Sequence, residues 1–114
     1  MTKETKKTKK WDVNWFINKL SKIPSKFWIT SNYEKRKDGQ RYCCALGWCG
    51  GNRRSKESYA LKKILRNVIA VNDAIDIKYL KFGKTPKERV LKALRAVRDG
   101  INLNDLIYRS KTTV

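Results

Sequence analysis

Nine residues near the middle of the chain, Cys43-Cys44-Ala45-Leu46-Gly47-Trp48-Cys49-Gly50-Gly51, hold all three cysteines, one of four tryptophans and three of six glycines. Unpaired cysteine is among the most buried residue types, and Ala, Leu and Gly at this density leave no polar face. The stretch is therefore expected to be the packing centre, and the rest of the chain must supply walls for it. Successive side chains of a strand point to opposite faces, so two adjacent cysteines cannot both face the core of one regular strand. At least one of Cys43 and Cys44 is expected at the periphery.

The walls are legible as helices. Val13, Phe16, Ile17 and Leu20 repeat at i, i+3, i+4 and i+7, marking a helix from Trp11 to about Lys22 that Pro24 stops. At 100° per residue Trp11 and Trp15 project away from that stripe and need a partner, in the domain or outside it. A second helix is expected from about Lys56 to Val68 or a little beyond, with Ser55 as N-cap and Leu61, Ile64, Leu65 and Val68 on its buried face. Lys56, Tyr59, Lys62, Lys63 and Arg66 take the other face. Val71 to Ala74 reads as its exit, with the Asn72 and Asp73 side chains bonding the local turn backbone.

Thr85-Pro86-Lys87-Glu88 is a complete capping box with proline at N1, opening a helix over 86–99 that Gly100 ends. Val90, Leu91, Leu94 and Val97 form its buried stripe. Arg89, Lys92 and Arg95 are expected in solvent, with Glu88–Lys92 and Arg95–Asp99 pairs at i, i+4. Ile75 to Phe82 is a connector broken by Gly83, and Ile101 to Tyr108 is a short last helix or an extended cover, capped at Asn102 or Asn104.

Between Lys26 and Cys44, aromatic and basic residues interleave around Asp38-Gly39, a pair suited to the positive φ values of a tight hairpin turn. Two short strands, or an extended arm and loop, are expected there. The fold class is thus mostly α, with α+β as its neighbour: a small compact bundle of three to four helices with a short β-hairpin or extended arm around residues 27–44. A disordered basic tail over 1–10, one domain over 11–109 and a frayed end over 110–114 complete the organisation.

Charge sets the choice of partner. The 114 residues hold 28 Lys and Arg against 10 Asp and Glu, a net +18, and no His. Five Lys and one Glu in the first ten residues account for +4, so +14 belongs to the remainder. Such an excess opposes compaction and favours encounter with polyanions. No run approaches the length of a membrane span, the first ten residues lack the apolar segment of a secretory signal, and an odd number of cysteines is a poor disulfide framework. A cytoplasmic protein with reduced thiols and no membrane partner is expected.

Catalysis is poorly served. Cys43, Cys44 and Cys49 lack the C-x-x-C spacing of a zinc site and there is no His to complete one or to activate a thiol. Acids are too few for a two-metal cluster. The expectation is a protein that is not an enzyme and has neither cofactor nor metal.

The ordered pieces Phe27-Trp28, Asp38-Gly39, Cys44-Ala45-Leu46-Gly47, Val71-Asn72-Asp73 and Thr85-Pro86-Lys87-Glu88-Arg89-Val90-Leu91-Lys92-Ala93-Leu94 resemble a family of small uncharacterised phage and bacterial domains. Order and spacing carry the resemblance, which spans most of residues 27–98. It implies a compact, mostly helical, phage-encoded domain and transfers no activity and no site residues.

The leading functional expectation is a basic binding module for phosphate-bearing ligands, with nucleic acid first among them. Gly50, Gly51, Arg53, Arg54 and Ser55, leading into a helix N-terminus, are candidates for phosphate, together with Arg41, Lys62, Lys63 and Arg66. Trp11, Trp15 and Tyr33 are candidates to stack on bases. The alternative is a phage-encoded inhibitor that docks on a host defence protein or sequesters a nucleotide signal.

Overall fold

Alternating apolar positions on short amphipathic segments produce a mostly α-helical fold with one small hairpin. The computed structural model describes residues 11–31, 34–50 and 55–103. The expected tail, the frayed end, most of the last segment, and Tyr33, Gly51, Arg53 and Arg54 lie outside them.

Helix α1 spans Val13–Ser21, where the Asp12 carboxylate accepts from Trp15 N at 2.8 Å and so caps the first turn. A 3-10 turn over Ser25–Phe27 leads to Trp28, which is buried and donates through Nε1 to Ile23 O at 3.2 Å. Strands β1 (Glu34–Lys37) and β2 (Gln40–Cys43) form an antiparallel hairpin, and its turn residues Asp38 and Gly39 have φ of 52° and 79°. Both values are positive, as a type I′ turn demands. The chain before the hairpin is not a strand of it. Trp28 instead bridges to Cys43 on the other edge of β2, where Ile29 N donates to Cys43 O at 3.1 Å.

Helix α2 is the four-residue Ala45–Trp48, α3 is Lys56–Ile64 and α4 is Val68–Asp73. The single helix expected from Lys56 to Val68 is therefore broken. Leu65 leaves the helical region at φ −127°, ψ 90°, which re-aims the chain so that Leu65, Val68 and Val71 are all buried in one cluster. A 3-10 helix over Ile77–Phe82 follows. Helix α5 spans Pro86–Arg98 with the expected Thr85–Glu88 capping box and proline.

α5 is the element on which α1 and α4 pack. Phe16, Leu20, Leu46, Leu61, Val90 and Leu94 are fully buried at the centre, each contributing about 1.5–3 kcal/mol relative to exposure. The cysteine-rich stretch sits among them, with Cys43, Cys44 and Cys49 all buried. The expected peripheral cysteine does not exist. Cys43 ends β2 and Cys44 is already the extended N-cap of α2, so strand alternation stops between them and both point inward.

Three other expectations fail for tertiary reasons. Arg89 is only 4% exposed and donates to Val71 O, Asn72 O and Gly83 O. Asn72 is buried and bonds distant backbone, accepting from Ala45 N at 3.1 Å and donating to Ile29 O at 3.0 Å, besides its contact with Asp73 Oδ1. The i, i+4 pairs of α5 are replaced: Glu88 is occupied by the capping box, and Asp99 pairs with its neighbour Arg98 at 2.9 Å. Among the described residues no helix is long and apolar enough to cross a membrane.

Candidate nucleic-acid interface

The hairpin register sorts its charges onto two faces. Glu34 opposes Cys43, Lys35 opposes Tyr42, Arg36 opposes Arg41, and Lys37 opposes Gln40. Directly opposed residues point to the same side and neighbours along a strand to opposite sides. Cys43, Arg41, Arg36 and Glu34 therefore share the face that meets the core. Lys35, Lys37, Gln40 and Tyr42 share the outer one.

On the inner face one carboxylate is shared by two guanidiniums, which leaves a net +1. Glu34 lies 2.8 Å from Arg36 and 3.2 Å from Arg41. Partial desolvation raises the Glu34 carboxyl, but the two guanidiniums together outweigh it and hold the group below the ordinary carboxylate range. Arg41 also donates to Gly47 O at 3.0 Å and stands 5.2 Å above the Trp48 ring, so it ties β2 to α2. This candidate phosphate ligand has a structural occupation.

The outer face carries two lysines and no acid. Among the described residues neither Lys35 nor Lys37 forms an ion pair, and with Ile29 and Tyr42 they line a depression of about 250 Å³. Tyr42 is half-buried and packs edge-on against Phe27, with ring centroids 5.8 Å apart. Lys26 Nζ lies 5.2 Å from the Phe27 ring centre. Lys26, Phe27, Lys35, Lys37 and Tyr42, members of the interleaved basic and aromatic ribbon but not among the named site candidates, thus stand close together. Their signal was the period of two on either side of Asp38-Gly39, which fixes side-chain faces once the turn is accepted.

At the other expected site, Gly50 and Ser55 come together while the residues between them lie outside the description. Gly50 has φ +73°, and a Cβ there would stand 2.3 Å from Ser55 Oγ. The Ser55 hydroxyl donates to Cys49 O at 2.8 Å and accepts from Ser58 N at 3.0 Å. Buried Ser58 donates to Leu46 O and Cys49 O. These two hydroxyls satisfy carbonyls at the end of α2 and a donor at the start of α3. Glu57, in the first turn of α3 and ion-paired with Lys19, already places a carboxylate at the positive end of that helix.

Lys62 and Lys63 lie on α3, with Lys62 Nζ 5.0 Å from the ring centre of exposed Tyr59. Arg66 falls in the break after α3 and is not on that helix's face. Trp15 packs edge-on to Phe16 at 5.1 Å under Lys19, and Trp11 precedes α1 at φ +66°, so helical angles do not apply to it. Both indoles are half-buried against the core. Burial raises all three thiols, Cys43 to about 11 and Cys49 to about 12. Among the described residues no group of three metal-ligating side chains exists.

No family model, curated protein or solved structure matches this chain.

Proposed function

We propose that this protein is a non-enzymatic basic binding module for phosphate-bearing ligands, nucleic acid first among them, working in the cytoplasm. The observation that supports it is the outer hairpin face, where Lys35 and Lys37 flank Tyr42 and Ile29 while the hairpin's one carboxylate, Glu34, is held by Arg36 and Arg41 on the opposite side. A cation beside an aromatic ring on a solvent-facing ribbon serves phosphate and base at once. Lys62, Lys63 and the excess of Lys and Arg elsewhere add the long-range field that raises encounter rates.

Fluorescence anisotropy with labelled single-stranded and duplex oligonucleotides tests this reading. Binding is expected at about 50 mM salt and should weaken by decades towards 200 mM, as counterion release requires. Lys35→Ala/Lys37→Ala should weaken it further. Absence of binding to every oligonucleotide at the lower salt would end the proposal.

A further inference from the structure

The outer hairpin face continues into a second hollow that reaches the start of α5. Its depression shares Ile29 and Lys35 with a second, of about 360 Å³, which reaches Trp28, Thr30 and Pro86. Pro86 opens α5, and its two neighbours Thr85 and Lys87 line a third depression of about 540 Å³, which runs along α5 past Leu91 to Lys92 and Arg95. The first two hollows share residues, and the third starts at the chain neighbours of Pro86 and follows the exposed flank of α5.

The floor and the rim differ in kind. Half-buried Ile29 and Tyr42 supply the apolar surface at the hairpin end, while Trp28, Phe82 and Leu91 further along are no more than 5% exposed and show only their edges. Lys37, Lys35, Lys87, Lys92 and Arg95 supply five cations along the edges. The carboxylate in the groove, Glu88, accepts from Thr85 N at 3.1 Å and from Thr85 Oγ at 3.2 Å, so it is committed to capping α5. A double helix would bring only phosphate and sugar to such a surface, leaving the apolar floor facing charge, because its bases are stacked inside. A single strand brings phosphates for the rim and unpaired base faces for the floor.

We infer that the ligand is a single-stranded nucleic acid laid along this groove, from the Lys37–Tyr42 end of the hairpin to Lys92 and Arg95 on α5. The inference rests on the nucleic-acid reading above and adds the strandedness and the path. The apolar floor and cationic rim would also accept an acidic protein segment with aromatic side chains, and the test separates the two.

The experiment uses the full chain, fluorescein-labelled twelve-residue oligo(dT) and oligo(U), a duplex of the same length and a glutamate peptide with interspersed tyrosines. Single strands should bind at least tenfold more tightly than the duplex. Five phosphate contacts predict a slope of log affinity against log salt of about −3.5 for a single strand. Lys92→Ala/Arg95→Ala should make it shallower by about 1.4, whereas Lys56→Ala, outside the groove, should leave it unchanged. Tyr42→Leu should weaken single-strand binding roughly tenfold, in the range of lost base stacking, and Tyr42→Phe should restore it. A thermal melt of each variant keeps loss of fold apart from loss of contact.

Equal affinity for single strand and duplex overturns the inference. So does a slope indifferent to Lys92 and Arg95, even if the hairpin lysines prove necessary; that result keeps the nucleic-acid reading and removes the path. Preference for the glutamate peptide over every oligonucleotide overturns both.

Discussion

Arg89 on α5 donates through Nη2 to Asn72 O at 2.6 Å and through Nε to Val71 O at 2.9 Å, so one buried guanidinium closes the C-terminal end of α4. A cation at that end meets the negative pole of the helix and the carbonyls that have no intrahelical donor. Asn72 in turn holds Ala45 N and Ile29 O. Three segments far apart in sequence, the α2 start, the bridge to β2 and α5, therefore meet at one short helix.

Replacing Arg89 by Ala removes the guanidinium donor of Asn72 O and leaves Val71 O with only the longer bond from Ala74 N at 3.4 Å, and is expected to cost about 2–4 kcal/mol. Arg89→Lys should recover only part of this, since one ammonium cannot reproduce a planar fork. Arg95→Ala, exposed on the same helix, should stay within about 0.5 kcal/mol of the parent. Urea unfolding at unchanged m-value reads all three, and an Arg89→Ala loss no larger than that of Arg95→Ala would contradict the arrangement.

Gly50 and Gly100 share nearly the same backbone, φ +73° and +74°, but not the same surroundings. A methyl at Gly100 meets nothing within 4 Å, whereas at Gly50 it meets Ser55 Oγ at 2.3 Å and Ser55 Cβ at 2.7 Å. Gly100→Ala should therefore cost only the left-handed conformation, about 1 kcal/mol. Gly50→Ala should cost more, because the Ser55 cap of α3 must also move. Similar losses in the two variants would mean that Ser55 yields freely.

The buried thiols give the fold an alkaline weakness. Burial first, and then the nearby Glu57 charge, push Cys49 up to about 12 from an ordinary value of 9.0. A folded-state value raised above the unfolded one leaves the stabilising contribution intact below pH 9. That contribution fades as pH climbs from 9 towards 12, by up to about 1.4 kcal/mol per unit for a fully buried thiol. Stability measured by denaturant titration should fall over this range, and less steeply in Cys49→Ala. Thiol labelling of the native protein near neutral pH should be slow for Cys43, Cys44 and Cys49 alike, and rapid labelling of any of them would show that it is not buried.

Where local chemistry was sufficient, the sequence was readable in detail. Asp38-Gly39 tolerates positive φ and made a hairpin; Thr85, Pro86 and Glu88 satisfied the first donors of α5; Ser55 capped α3. Phe16 and Leu20 of the α1 stripe and Val90, Leu91 and Leu94 of the α5 stripe were buried, with Val13, Ile17 and Val97 half-buried at their edges, and Cys43 to Cys49 became the packing centre. The site was half legible. Interleaved basic and aromatic residues were visible between Lys26 and Cys44, but Lys35, Lys37 and Tyr42 could be joined only once the pairing register placed them on one face.

What the chain alone determined was its excess of positive charge, the hairpin turn and the starts of α1, α3 and α5, because caps, turns and periodicity act within a few residues. Only the tertiary structure decided that α3 and α4 separate at Leu65, that adjacent cysteines are both buried, and that Arg89, one lysine-like position among many on paper, turns inward. Each of those outcomes depends on a partner tens of residues away: Val71 and Asn72 for Arg89, Ile29 and Ala45 for Asn72. A buried carbonyl must find a donor, and which donor arrives is settled by packing rather than by spacing along the chain.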